Sequence, residues 1–143
     1  MFNMIQSELE DVVGRENVSI SKAEIKTYSV DYFWISRMWE DKGAEGPTPD
    51  IIVRPGSAEE VSKIVKIANY YKIPVITWGG GSGSQGGALA MAGGILLDMK
   101  RMNKLIKIDE NAHSITAEAG MIFQQLEWYA NEKGILACIS PPV

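Results

Sequence analysis

Residues 79–87, GGGSGSQGG, are the part of this chain best suited to binding an anion. Six of the nine are glycine, and the two serines and one glutamine add no charge. Glycine accepts positive φ angles and lets other atoms approach the main chain, so consecutive N–H groups can converge on phosphate oxygens. The segment therefore predicts a phosphate-binding loop.

The elements before this loop form a predicted strand–helix–strand unit. Residues 51–53 are a β-branched run that ends at Pro55, and residues 57–60, SAEE, have the spacing of a helix-capping box. Apolar residues then recur at three and four positions up to Pro74, and residues 75–77 begin a second strand. The strands of such a unit are parallel with a right-handed crossover, and their carboxyl ends are the usual ligand edge.

The other predicted elements are less sharply marked. We expect a helix over residues 5–13, a weak extended stretch over 18–28, an aromatic-rich stretch without a clear period over 28–39, and a third buried strand over 95–97. A hairpin over 105–109 and 114–119, a helix from Ile122 to near Gly134, and a final strand over 135–143 follow.

Composition excludes several function classes. The 143 residues are 45% hydrophobic and 22% charged, which suits one domain or part of a larger protein. A net charge of −4 without a basic stripe argues against nucleic acid as a partner. No apolar run approaches about 18 residues and no basic leader precedes one, so we expect no transmembrane segment and a cytoplasmic location. The single cysteine, Cys138, has apolar neighbours and is expected to be a small buried hydrophobe.

Three interpretations of the glycine segment compete. It could be a loop without a ligand, or a nicotinamide-dinucleotide fingerprint, because residues 81–86 satisfy GxGxxG and Asp98 could act as the ribose-binding acid. That fingerprint should follow the first strand and open a full helix. Here a complete strand–helix unit comes first, and only about one turn separates the segment from Gly93.

The third interpretation is a resemblance carried by six motifs in order. They are residues 51–55 (IIVRP), 57–61 (SAEEV), 74–75 (PV), the glycine segment through Ala88, 98–103 (DMKRMN) and 118–120 (EAG). Over residues 49–142 the chain resembles the FAD-binding domain of the vanillyl-alcohol-oxidase, or PCMH, type. It is most similar there to FAD-linked 2-hydroxyacid dehydrogenases, such as the glycolate oxidase flavin subunit and D-lactate dehydrogenase, and to alkyl-dihydroxyacetone-phosphate synthase.

The resemblance implies an α+β fold, with the βαβ unit, a small mixed sheet and flanking helices forming the first half of such a domain. Residues 1–48 would be an N-terminal helix and aromatic-rich extension, and residues 49–143 the truncated N-terminal part of the FAD domain. The rest of that domain and a substrate-binding cap domain would follow Val143.

The resemblance also implies a set of cofactor-binding residues. The backbone would wrap the FAD diphosphate and pass beneath it, Pro55 would lie near the adenosine, and Pro142 would lead toward the flavin. The full set is Pro55, Gly79, Gly80, Gly81, Ser82, Gly83, Ser84, Gly86, Gly87 and Pro142. FAD would be bound non-covalently, since members that link it in this loop have histidine at about the position of Ser82.

Several other notable residues are expected to have structural roles and not to bind a ligand. Trp78 stands where the family often has arginine, and we expect it to pack. Asp98 is expected to cap the following turn, and His113, the only histidine, to lie in the hairpin turn. The aromatic residues between Tyr28 and Trp39 are expected to cover the domain. The sequence shows no metal-ligand constellation.

The function implied by the resemblance is that of an FAD-dependent oxidoreductase acting on CH–OH. It would oxidise a small 2-hydroxyacid or related alcohol by hydride transfer to the flavin and pass electrons to a separate acceptor. The 143-residue chain alone would be inactive, no catalytic residue is assigned, and self-association through exposed apolar surface is expected. The competing hypothesis is a binding or assembly module without a redox role.

Overall fold

A computed structural model describes residues 2–136 and shows an α+β fold, as predicted. The helices are α1 (Phe2–Val13), α2 (Lys22–Thr27), α3 (Trp34–Asp41), α4 (Ala58–Tyr71) and α5 (Phe123–Glu132). The strands are β1 (Val18–Ser19), β2 (Ile51–Val53), β3 (Val75–Trp78), β4 (Ile95–Asp98), β5 (Leu105–Asp109) and β6 (Ser114–Ala117). Short 3₁₀ turns occupy Arg15–Asn17 and Met99–Arg101.

The main sheet has the strand order β1-β2-β4-β3. Strands β2 and β3 are both parallel to β4, so the predicted parallel strands of the βαβ unit are confirmed, with β4 inserted between them. β1 pairs antiparallel with β2, and the predicted hairpin, β5-β6, forms a separate two-stranded sheet. The carboxyl ends of β2, β4 and β3 therefore meet at one edge of the main sheet.

The core lies on both faces of the two central strands, which are entirely buried. On one face Ile51, Val53, Ile95 and Leu97 pack with apolar residues of α1 and α4. On the other face Ile52 and Leu96 pack with Tyr28 and Trp78. Side chains alternate between the faces of a strand, which is why a run of apolar residues without polar alternation marks a strand covered on both sides.

The start of α4 carries the predicted capping box in a slightly shifted form. The Ser57 hydroxyl accepts a hydrogen bond from the Glu60 amide at 3.2 Å. The Glu60 carboxylate in turn accepts from the Gly56 amide at 2.7 Å, one residue before the expected partner. Two amide donors at the helix start are thereby satisfied.

Two predictions in the N-terminal third are wrong. The extended stretch predicted over residues 18–28 ends after Ser19, and most of it forms the helix α2. The aromatic-rich stretch contains another helix, α3, whose one buried residue is Ser36. Trp34, Ile35, Met38 and Trp39 do recur at helical spacing along α3, so the apolar period was present in the sequence and was missed because it spans only two turns. The strand predicted over 135–143 lies almost wholly outside the described residues, as does Cys138.

The capping contact predicts the effect of a single substitution. Ser57→Ala removes the acceptor for the Glu60 amide and should lower the free energy of unfolding by about 1 kcal/mol, measured by urea denaturation. Ser62→Ala, at an exposed position inside the same helix, is the matched control. Because alanine is the better helix former there, this control should show no loss. Equal destabilisation by both variants would contradict the capping role.

Candidate functional site

The glycine segment follows β3 directly and lies at the carboxyl edge of the parallel strands, as expected. Gly81 and Gly86 are half-buried, and the other predicted ligand-binding positions of the segment are exposed. The segment is therefore open to solvent at the edge where α/β sheets receive ligands.

The hydrogen bonds of the loop use its carbonyl groups and leave its amides free. The Gly81 carbonyl accepts from the Tyr32 amide at 2.8 Å, and the Gly86 carbonyl accepts from the Leu89 amide at 3.1 Å. Within the part of the chain that the structure describes, no amide of residues 79–85 donates a hydrogen bond, and Ser84–Gln85 form a turn. Unpaired main-chain N–H groups in a turn are the donor set of an anion-binding nest.

The loop glycines divide into two classes. Gly81 has φ +67°, and a Cβ there would lie 2.5 Å from Cζ2 of Trp78. Gly86 has φ +72°, and a Cβ there would lie 2.8 Å from Cδ1 of Phe33. At these two positions the fold itself requires glycine, because L-residues rarely adopt that backbone conformation and no space exists for a side chain.

At the other loop glycines the fold does not require glycine. Nothing lies within 4 Å of a Cβ built at Gly79, Gly80, Gly83 or Gly87, and none of these residues has φ in the left-handed region. Alanine would fit there without a protein contact. Glycine at such positions leaves the main chain open to close approach by a group outside the chain. With uncharged amide donors and this open space, the loop fits a diphosphate.

Trp78 packs, as predicted, and does not replace the charge of an arginine. Its side chain is 6% exposed and lies edge to face with the Tyr28 ring, with ring centroids 5.0 Å apart. The indole also lies under Gly81. Trp78 therefore supports the loop from the protein side.

Residues 28–33, which we call the strap, hold the loop at several points. Tyr28 contacts Trp78, the Tyr32 amide bonds to the Gly81 carbonyl, and Phe33 fills the space beside Gly86. Sequence patterns did not indicate these contacts, because the strap has no period and meets a loop about 50 residues further along the chain. Its unusual aromatic content was the only signal.

A cluster of charged residues around the buried Asp98 lies at the carboxyl ends of β2 and β4. Asp98 is 2% exposed, and its Oδ2 accepts a hydrogen bond from the Tyr28 hydroxyl at 2.7 Å. Arg54 Nε and Lys100 Nζ lie 3.6 Å and 3.7 Å from the same oxygen, and Arg54 also pairs with Glu24. Asp98 Oδ1 accepts from the Lys100 amide at 3.2 Å, which confirms the predicted cap. Both carboxylate oxygens are engaged, so Asp98 is not free to bind a ribose.

The remaining sequence-predicted residues, Pro55, Pro142 and His113, are not part of the loop. Pro55 is fully buried after β2, and β4 lies between β2 and the strand that leads into the loop, so its contact with adenosine stays a prediction. Pro142 lies outside the described residues. His113 is exposed in the β5-β6 turn with φ 47°, which confirms its assignment as a turn residue.

Two other features are absent from residues 2–136. This range holds no group of three or more histidine, cysteine or acidic side chains arranged to bind a metal ion. It also contains no helix with the length and apolar content needed to cross a bilayer.

Comparison with known proteins identifies the relatives of this chain. Residues 49–142 match a family described as the FAD binding domain. The chain is 31% identical over 140 residues to the mitochondrial D-lactate dehydrogenase (cytochrome) of Kluyveromyces lactis, covering 94% of the chain and 23% of that protein. It is 28% identical over 131 residues to the glycolate oxidase subunit GlcD of Bacillus subtilis, covering 92% of the chain and 26% of that protein.

The fold has solved counterparts as well. An alkyldihydroxyacetonephosphate synthase structure superimposes with a TM-score of 0.83 at 25% identity, over 94% of this chain and 28% of that one. The chain spans about a quarter of the length of the curated relatives it matches.

The buried cluster generates a prediction for Tyr28. Tyr28→Phe removes one donor from the buried Asp98 carboxylate and should lower the free energy of unfolding by about 1–3 kcal/mol at pH 7, measured by urea denaturation. Tyr32→Phe is the matched control, because Tyr32 is 41% exposed and no hydrogen bond of its hydroxyl is found among the described residues. Equal stability of the two variants would contradict the role of the Tyr28 hydroxyl.

The same variant has a pH signature. Burial, and next the hydrogen bond to Asp98, raise the pKa of Tyr28 from 10.0 to about 12. The unfolded chain therefore loses this proton at lower pH than the folded chain, and the stabilisation present below pH 10 is lost as the pH rises toward 12. In Tyr28→Phe the decline of stability across this range should be shallower than in the wild type.

The two classes of glycine predict different responses to alanine. Gly81→Ala should lower the free energy of unfolding by about 1–3 kcal/mol, because the new Cβ meets Trp78 and the backbone is left-handed. Gly80→Ala should change it by less than about 0.5 kcal/mol, because its Cβ enters open space. Urea denaturation of the two variants in parallel checks this, and equal effects would show that the loop has a different conformation.

Proposed function

Because the chain belongs to the FAD-binding domain family, we propose that its glycine loop binds the diphosphate of FAD. The amides of residues 80–84 would donate to the phosphate oxygens, and the hydroxyls of Ser82 and Ser84 would add donors. The observation that carries this proposal is the run of unpaired amides over residues 79–85, combined with glycines that the fold does not require. Amide dipoles can hold an anion without a lysine or arginine.

The chain's own contribution would be to bind and orient the cofactor. Trp78 and the strap fix the loop before the ligand arrives, so less conformational entropy is lost on binding than with a free loop. When bound, FAD supplies the hydride-accepting isoalloxazine ring. FAD would be held without a covalent bond here, since Ser82 has no ring nitrogen to attach.

For the whole protein we propose oxidation of a small 2-hydroxyacid or related alcohol. The relatives named for D-lactate and glycolate oxidation support this substrate class. No catalytic residue is assigned among residues 2–136, and the 143-residue chain alone is expected to show no turnover. Self-association and the cytoplasmic location stay predictions.

Two alternatives have specific observations in their favour. The superposition with alkyldihydroxyacetonephosphate synthase supports a related flavoenzyme that would use the same diphosphate loop. The GxGxxG pattern favoured a nicotinamide dinucleotide, but both oxygens of Asp98 are engaged inside the protein and a strand–helix unit precedes the loop. FAD therefore remains the better-supported ligand.

Calorimetric titration of the 143-residue chain with FAD, ADP and NAD tests the cofactor assignment. We expect FAD and ADP to bind and NAD to bind more weakly than FAD. Gly80→Asp places a carboxylate where the diphosphate would lie and should weaken FAD binding by about 100-fold or more, since like charges in close contact cost several kcal/mol. Asn111→Asp adds the same charge in the exposed β5-β6 turn and is the control.

Two results would contradict the proposal. One is a folded wild-type chain that does not respond to millimolar FAD or ADP. The other is a Gly80→Asp variant that binds FAD as tightly as Asn111→Asp does, because the diphosphate would then lie elsewhere.

A further inference from the structure

A cavity of about 570 Å³ lies beside the first part of the glycine loop. Its lining includes residues 80–82 of the loop, residues 30–32 of the strap and three charged residues of α3. Residues 80–82 are among those whose amides donate no hydrogen bond within the described chain. A ligand held by these amides would therefore border the cavity and could be contacted by the other residues that line it.

Arg37 is the one basic residue in this lining. It lies in α3 and is exposed, and its guanidinium forms neither a salt bridge nor a hydrogen bond with any residue from 2 to 136. By contrast, Arg54 and Lys100 lie close to the buried Asp98. A guanidinium without a partner beside a set of unpaired amides is well suited to binding phosphate.

Tyr32 holds the Arg37 guanidinium near the loop. Cζ of Arg37 lies 5.2 Å from the centroid of the Tyr32 ring, within the range of a cation–π contact. The amide of the same tyrosine donates to the Gly81 carbonyl at 2.8 Å. Tyr32 is thus joined to the loop through its main chain and to the arginine through its ring, so the position of Arg37 is coupled to that of the loop.

The helix that carries Arg37 is fixed to the strap at its start. The Asp31 carboxylate is buried, and its Oδ1 accepts hydrogen bonds from the Phe33 amide and the Ser36 hydroxyl, both at 3.0 Å. Ser36 immediately precedes Arg37 in the chain. The main chain at Arg37 is therefore anchored, and only its side chain has to adjust to a ligand.

Two acidic residues of the same lining restrict how Arg37 can act. Glu40 and Asp41 are exposed and follow Arg37 by three and four positions, and neither forms a salt bridge with it. The cavity consequently has no excess of positive charge that would attract an anion from a distance. Arg37 can act only by direct hydrogen bonds to an anion that the loop amides already hold.

We propose that the Arg37 guanidinium donates hydrogen bonds to the diphosphate bound on residues 80–84 and supplies the positively charged contact that the loop lacks. This inference rests on the proposed function of the loop. The paired N–H donors of a guanidinium match two phosphate oxygens, whereas the loop offers only uncharged amides and hydroxyls. Arg37 would thus be a binding residue for the diphosphate, and Tyr32 a positioning residue for Arg37.

Three variants separate the charge of Arg37 from its geometry and from the net charge of the chain. Arg37→Gln removes both the positive charge and the paired donors, and Arg37→Lys keeps only the charge. Lys42→Gln is the matched control, because it removes the same charge at the end of α3 and Lys42 does not line the cavity. Thermal unfolding verifies that each variant folds.

Calorimetric titrations with inorganic pyrophosphate and FAD provide the test. Pyrophosphate contains the phosphate groups alone, so a contact with them affects both ligands alike. We expect Arg37→Gln to weaken the binding of both by about 10- to 30-fold, equivalent to about 1.4–2 kcal/mol. Arg37→Lys should weaken both by a smaller factor, and Lys42→Gln should stay within about twofold of the wild type.

Tyr32→Leu tests whether the ring positions the guanidinium. Leucine keeps the main-chain amide that bonds to Gly81 and removes only the ring. It should weaken pyrophosphate binding by about 2- to 5-fold in the wild-type chain. In the Arg37→Gln chain it should cause no further loss, because no guanidinium remains to be positioned. An equal loss in both chains would show that the ring does not act through Arg37.

Three results would overturn the assignment of Arg37 while the proposed function stands. Pyrophosphate and FAD binding that Arg37→Gln leaves unchanged would show that the contact does not exist. A loss for FAD alone would place Arg37 on another part of the cofactor. An equal loss in Lys42→Gln would show that only the net charge matters. If the wild-type chain binds neither FAD nor pyrophosphate, the proposed function fails and the assignment of Arg37 fails with it.

Discussion

The close approach of the Trp78 indole to Gly81 is the constraint on which the site depends. A side chain at Gly81 would collide with this ring, and the backbone there has φ +67°. The chain consequently turns over the indole, and the Gly81 carbonyl points to the strap, where the Tyr32 amide binds it. With the carbonyl used on the protein side, the neighbouring amides are left for a ligand.

The same contact connects the loop to the core of the protein. Trp78 is the last residue of β3 and packs against Tyr28, whose hydroxyl bonds to the buried Asp98 at the end of β4. The strap therefore serves two purposes, because it covers one face of the sheet and also fixes the loop above it. A loop attached in this way is preorganised, and binding a ligand requires little additional ordering.

Local sequence signals predicted the parts of the fold that depend on local chemistry. The β-branched runs marked β2, β3 and β4, and the serine and glutamate around residue 57 marked the start of α4. The glycine content predicted the loop, because the conformational freedom of glycine can be read from the residue type without knowledge of its contacts. The family resemblance supplied the cofactor class, which composition alone left open between two dinucleotides.

The rest depended on contacts between distant residues. The helix α2 has no buried residue to mark a period, and the apolar spacing of α3 extends over only two turns. The strap is defined only by the residues that it contacts. The burial of Asp31 also follows from that docking and from the fold around Ser36, which no local pattern encodes. Likewise, the sequence did not distinguish the glycines that the fold requires from those left for a ligand.

Residue-resolved amide hydrogen exchange over residues 79–85 tests the central claim most directly. The unpaired amides should exchange rapidly in the ligand-free chain, while those of β4 stay protected. Saturating FAD should then slow exchange at residues 80–84 without comparable changes in the β5-β6 hairpin. Loop amides that are already protected without ligand, or that stay unprotected with FAD bound, would contradict the account.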